Sequence, residues 1–127
     1  IMKIIIDKIN SEPKHSLSKS ELQLILSKLP VDSINSFTMF KISAQMFSNS
    51  GWNRPVIFNL SRSTFNIMSR GLNKEYIVKE LLIEIFSHYT KISFETIGNK
   101  LNIQQRNKLE EIITPYYQDI IKELGIN

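Results

Sequence analysis

The segment that most constrains this chain runs from Lys74 to Tyr89, where Ile77, Val78, Leu81, Leu82, Ile85, Phe86 and Tyr89 recur at helical spacing. A surface helix buries one apolar stripe, and this stripe is so broad that the helix must be enclosed by other elements. Asn73 stands before it as a natural N-cap, its side-chain oxygen able to accept a first-turn N–H. The remainder of the chain therefore has to supply the walls around a central helix. With 127 residues, 42% of them hydrophobic, there is enough material for one domain, 1–127, with a core that needs no staple.

The walls can be read from periodicity. Ser18 or Ser20 can cap a helix, Ser18 and Glu21 having the spacing of a capping box, and Leu22, Ile25, Leu26 and Leu29 follow at i, i+3, i+4, i+7, which predicts a helix over Ser20–Leu29 closed by Pro30. From Ser33 to Phe47 the apolar residues alternate with polar ones, which predicts a strand. Pro55–Leu60 and Thr64–Met68 predict a hairpin turning at Ser61-Arg62-Ser63, with Pro55 suited to the first residue of an edge strand. Ile4, Ile5, Ile6 and Ile9 fit either a short strand or the stripe of a first helix. After Lys91 the pattern predicts a short helix from about Ser93 to Lys100 and a turn at Leu101-Asn102-Ile103. A helix from near Gln104 follows, then a last helix with Thr114 as N-cap, Pro115 at its first position and Gly125 beyond its end. The expected fold class is α+β: a small, mainly antiparallel three-stranded sheet at about 35–69, with one helix before it and three or four after it.

Composition excludes more chemistry than it suggests. The absence of cysteine removes disulfides, thiolate metal sites and thiol nucleophiles. The chain contains no Walker or dinucleotide glycine pattern and no G-x-S-x-G elbow, so neither a nucleotide cofactor nor a serine hydrolase is expected. Two histidines, one of them in the Ser11–Ser16 linker, make poor ground for a transition-metal site, and no metal or other cofactor is expected. The apolar runs are too short for a membrane span. Met2 reads as a start with one residue ahead of it, and Asp7, Lys8 and Asn10 interrupt any signal-like run, so a cytoplasmic protein is expected. Sixteen Lys and Arg against twelve Asp and Glu favour polyanions if the cations share a face. Arg54, Arg62 and Arg70 interleave with Trp52, Phe58 and Phe65 along the expected hairpin. They form either a stacking surface for single-stranded nucleic acid or, with the phenylalanines turned inward, a set of solvated edge arginines.

Residues Phe94 to Ile112 carry an apolar and a small residue (Ile97, Gly98), then Leu101, Asn102 and Ile103. This spacing resembles the helix-turn-helix DNA-binding units. The resemblance implies that Asn102 takes the left-handed turn conformation and that the second helix presents Gln104, Gln105, Arg106, Asn107 and Lys108, supported by Lys100, to nucleic acid. The pattern departs from the family at the inward position five residues after Ile103, where Lys108 stands and Leu109 comes one place late.

The order helix, strand, hairpin and long buried helix also resembles the minimal core of zincin metallopeptidases, whose H-E-x-x-H window here reads Ile83-Glu84-Ile85-Phe86-Ser87. Only the glutamate is present, so the resemblance implies a catalytically dead relative without its zinc ligands. Glu80, Glu84 and His88 lie at i, i+4, i+8, which predicts an ordinary Glu84–His88 pair on a solvated helix face. Tyr116 and Tyr117 either pack inward or form a patch for a partner or a homodimer. The sequence thus leads to a non-catalytic binding or regulatory protein, with nucleic acid as the expected ligand of the helix-turn-helix-like C-terminal segment. The alternative is a protein-interaction module.

Overall fold

The computed structural model describes residues 2–91 and 102–126. Four strands form one sheet: β1 (Lys3–Ile6), β2 (Met39–Ile42), β3 (Val56–Asn59) and β4 (Thr64–Ile67). Around it stand helices α1 (Lys19–Ser27), α2 (Val31–Ile34), α3 (Lys74–Tyr89) and α4 (Ile103–Glu123). The class is α+β, but the sheet is not the three-stranded antiparallel one expected. Its order is β1-β2-β4-β3, with β1 parallel to β2, β2 parallel to β4, and only β3 and β4 antiparallel.

Two packing demands account for the difference. The Ile4–Ile6 run resolves as a strand, and the crossover through α1 and α2 brings β2 in parallel beside it. Phe65 and Ile67 of β4 are fully buried whereas Asn59 of β3 is exposed, so β4 takes the interior position and β3 the edge. Pro55, which has no N–H to give, leads into that edge strand. The strand expected over Ser33–Phe47 is confined to Met39–Ile42. Pro30 opens the short α2 ahead of it, where the Ser33 hydroxyl donates to Pro30 O at 2.6 Å.

Ser18 caps α1 as expected, exchanging hydrogen bonds with Glu21 at 3.0 and 3.1 Å. Asn73 accepts the Tyr76 N–H and starts α3. Residues Leu81 to Ser87 of α3 are all buried, with aromatic and aliphatic strand residues on one side and α4 on the other, so the helix is central. On the sheet side Phe40 and Phe65 stack at 4.6 Å, and Phe37 meets Phe65 edge-on at the same distance. On the α4 side Leu109, Ile113 and Ile120 are buried, and Tyr116 lies 5.3 Å from Phe86 between ring centroids.

The last two expected helices are one. α4 runs through Pro115 without a break, although proline there removes a backbone donor and crowds the preceding turn. Ile113, Tyr116 and Ile120 pack together in the core, and that packing keeps the helix continuous across the proline. Tyr116 and Tyr117 accordingly pack inward against the core. No described helix is long and apolar enough to cross a membrane.

Candidate nucleic-acid interface

Alternation along four short strands divides the sheet into two faces. Phe40, Ile42, Phe65 and Ile67 point to the helices and are buried. The opposite face carries two cross-strand rows set by the register. One is Lys3–Met39–Thr64–Asn59 and the other Ile5–Lys41–Asn66–Ile57. Seven of these eight residues are half-buried or exposed, Ile57 being the exception, so this face stays open while the helices pack on the other.

Two residues outside the strands border the open face. A 3₁₀ turn at Phe47–Asn49 and Gly51, which has φ +79°, bring Trp52 beside the sheet with 44% of its surface exposed. The β3–β4 turn presents Arg62: Asn59 Oδ1 accepts both the Arg62 N–H and the Ser61 hydroxyl, and Ser63 turns the chain at φ +50°. Trp52, Ile57 and Arg62 join Lys41, Asn59, Thr64 and Asn66 around a shallow depression of about 250 Å³.

The chemistry of this depression is specific in kind. Trp52 and Ile57 offer an apolar surface against which a planar ring can stack. Arg62 makes no ion pair with a described residue, so its guanidinium is available to an incoming anion. Lys41 sits 3.7 Å from Asp7, a solvent-facing contact with a carboxylate already bound to Ala44 N–H. The Asn66 amide and the Asn59 NH₂ have no partner among the described residues and can address the edge of a base.

The charge pattern behind this face is legible in the sequence but lies outside motif reading. From residue 33 to residue 74 there is no Asp or Glu, while Lys41, Arg54, Arg62, Arg70 and Lys74 all fall in this stretch. Strands β2, β3 and β4 lie entirely within it, and β1 (Lys-Ile-Ile-Ile) has no Asp or Glu either, so none of the four strands carries a carboxylate.

Of the interleaved residues on the hairpin, only Trp52 and Arg62 reach the open face. Phe65 is buried and Phe58 packs against the core, 4.4 Å from the His88 ring. Arg54 and Arg70 are not solvated edge residues. Arg54 Nε donates to Glu84 at 3.1 Å, and Arg70 donates to the carbonyls of Pro13, Ala44 and Ser11, tying the linker to the end of β2.

The residues of the helix-turn-helix resemblance separate into groups. Lys100 and the expected first helix and turn, Ser93 to Leu101, lie outside the described residues. Asn102 is not left-handed: at φ −72° it is the N-cap of α4, and the Gln105 side chain returns to accept its N–H at 3.1 Å. Gln105 is thereby occupied in the capping box. Arg106 turns inward, its Nη2 2.7 Å from Glu80 and its Nε 3.5 Å from Glu110. Burial opposes the charge of Arg106, but these carboxylates outweigh it and hold the guanidinium more firmly protonated than usual. Gln104, Asn107 and Lys108 are exposed. Leu109 rather than Lys108 is the inward residue, one place later than the family pattern requires.

The Glu84–His88 pair forms at 3.3 Å, but not on a solvated face: Glu84 is 2% exposed. Its carboxylate also accepts from Arg54 and from the backbone N–H of Phe58 at 3.3 Å. The flanking Ile83 and Ser87 are buried as well. Comparisons with protein-family models, with curated proteins and with solved structures give no match.

Proposed function

We propose that this chain is a non-catalytic binding protein for single-stranded nucleic acid and that the open sheet face is its binding surface. The observation that carries the reading is the meeting of Trp52, Arg62 and Lys41 with free amides on a face whose central and β3-side strands lack carboxylates. Stacking on an exposed aromatic side chain is indifferent to base identity, and cations beside it hold the phosphates on either side. A duplex hides its bases from such a flat surface, so the fit is to unpaired strands. The shallow depression holds about one base-sized group, which makes stacking on Trp52 the anchor and the phosphate contacts the source of affinity.

Trp52 is the sole tryptophan, so its emission reports on this face directly. Titration with a short single-stranded oligonucleotide should quench that emission saturably and do so less at higher salt. Unchanged emission at ~50 mM salt, where even non-specific attraction is strong, would count against the proposal.

A second reading keeps nucleic acid but moves it to the start of α4, where Gln104, Asn107 and Lys108 are exposed side by side. Duplex DNA is the ligand in that reading, and substitution at these three residues rather than at Trp52 abolishes binding. A protein-interaction role on a zincin-like frame would instead use the β3 hairpin, against whose edge Glu84 is placed.

A further inference from the structure

The two edges of the sheet are finished differently. At β3, the outward Phe58 N–H is met by the Glu84 carboxylate, so that edge is closed by α3. At β1 the ladder to β2 uses Lys3 N–H, which donates to Thr38 O at 3.0 Å, and Asp7 N–H, which donates to Ile42 O at 2.9 Å. Odd-numbered residues therefore face β2, and Ile4 and Ile6 turn their N–H and C=O outward. No described residue bonds these outward groups. The strand contains no proline, and Lys3 is its one charge. Unpaired backbone groups in a row of isoleucines form a template for another strand.

The sequence of this edge is complementary to itself. Let a second copy of β1 run antiparallel about a two-fold axis at Ile5. Ile4 then lies opposite Ile6 of the second copy, and these are the residues whose backbone groups point outward, so each pair exchanges two hydrogen bonds. On the open face Ile5 meets Ile5, and Lys3 meets Asp7 of the second copy. The Asp7 Oδ2 already holds Ala44 N–H at 3.0 Å and lies 3.7 Å from Lys41 Nζ, whereas Oδ1 has no partner among the described residues and is left for Lys3 of the second copy. Sliding the pairing by one residue turns each side chain to the wrong face. Sliding it by two sets Lys3 against Ile5, or Ile5 against Asp7, and loses both charge pairs.

We infer that the chain forms a two-fold dimer by antiparallel pairing of β1 with β1 of a second copy, held in register by Lys3 and Asp7. The product is one continuous eight-stranded sheet with the two open faces side by side. Such an isologous contact closes on itself and leaves only the edges that Glu84 blocks. The inference is independent of what the open face binds.

Sedimentation velocity tests it at ~100 µM protein, a concentration that populates small interfaces. The unaltered chain should sediment with twice the single-chain mass. Ile5→Lys places like charges opposite each other across the axis on a face away from the core, and should give the single-chain mass with unchanged circular dichroism. Lys3→Glu, which sets a carboxylate against Asp7 of the second copy, should shift the mass in the same direction. Ile5→Cys adds the one thiol of a cysteine-free chain at a close pair, so mild oxidation should crosslink the dimer through it. A single-chain mass for the unaltered protein overturns the inference. A dimer that survives both charge substitutions, or that Ile5→Cys does not crosslink, overturns it as well.

Discussion

Glu84 on the central helix accepts the backbone N–H of Phe58 on the edge strand at 3.3 Å, joining α3 to β3 through a carboxylate that is 2% exposed. The same group holds Arg54 Nε at 3.1 Å, so one side chain satisfies a strand edge and a partly buried cation. Glu84→Ala should therefore cost about 3 kcal/mol, because it withdraws the acceptor from both. Glu84→Gln should cost less, since an amide oxygen still accepts the Phe58 N–H. Urea unfolding of the two variants checks the order.

Gly71 sits at φ +74°, and a Cβ on it would meet Pro13 Cγ at 2.9 Å. Both the backbone conformation and the space exclude a side chain. Gly71→Ala should destabilise by about 1–2 kcal/mol, measured by thermal unfolding. Gly51, also at positive φ but with nothing within 4 Å of its Cβ position, should lose less on the same substitution.

Glu21 links α1 to α3 through Lys74. Burial pushes its carboxyl upward, but the Lys74 ammonium and the Ser18 N–H and hydroxyl outweigh burial and hold it below its ordinary value. A depressed folded pKa gives a contribution that is complete above the unfolded pKa and lost as pH falls through the folded one. Stability should thus decline as pH falls through and below the ordinary glutamate range, and Glu21→Gln should flatten that part of the profile. Denaturant midpoints across the range test the sign.

Arg106 separates the two nucleic-acid readings. Its guanidinium is held by Glu80, which is 8% exposed, so Arg106→Ala should destabilise the fold by about 1–3 kcal/mol. It should leave single-strand binding at the sheet unchanged. A loss of binding without loss of stability would instead favour the face that begins α4.

Much of the fold was legible from local chemistry. The Ser18 and Asn73 caps, the enclosed helix Lys74–Tyr89 and the hairpin turn at Ser61–Ser63 are set by residues near one another in the chain. Strand order was not legible, because placing β4 between β2 and β3 depends on which strand buries Phe65 and Ile67 most completely. Pro115 misled for a related reason: its local cost is outweighed by the packing of Ile113, Tyr116 and Ile120 in the core. Arg106 looked like a surface contact residue until the Glu80 carboxylate from another helix came beside it. The open face drew on Trp52 and Arg62, which were visible in the hairpin, and on a carboxylate-free run from residue 33 to residue 74, which a search for motifs passes over.

Binding at the open sheet face is tested most directly by fluorescence anisotropy of a labelled single-stranded oligonucleotide. Binding should be measurable at ~50 mM salt and weaken by at least about tenfold at ~200 mM, as expected when a few phosphates are neutralised. Trp52→Ala should remove about 1–3 kcal/mol of binding free energy through lost stacking. Arg62→Ala should reduce the salt dependence, and Gln104→Ala with Lys108→Ala should change neither. Binding that survives Trp52→Ala and Arg62→Ala undiminished, or no binding at the lower salt, would contradict the account.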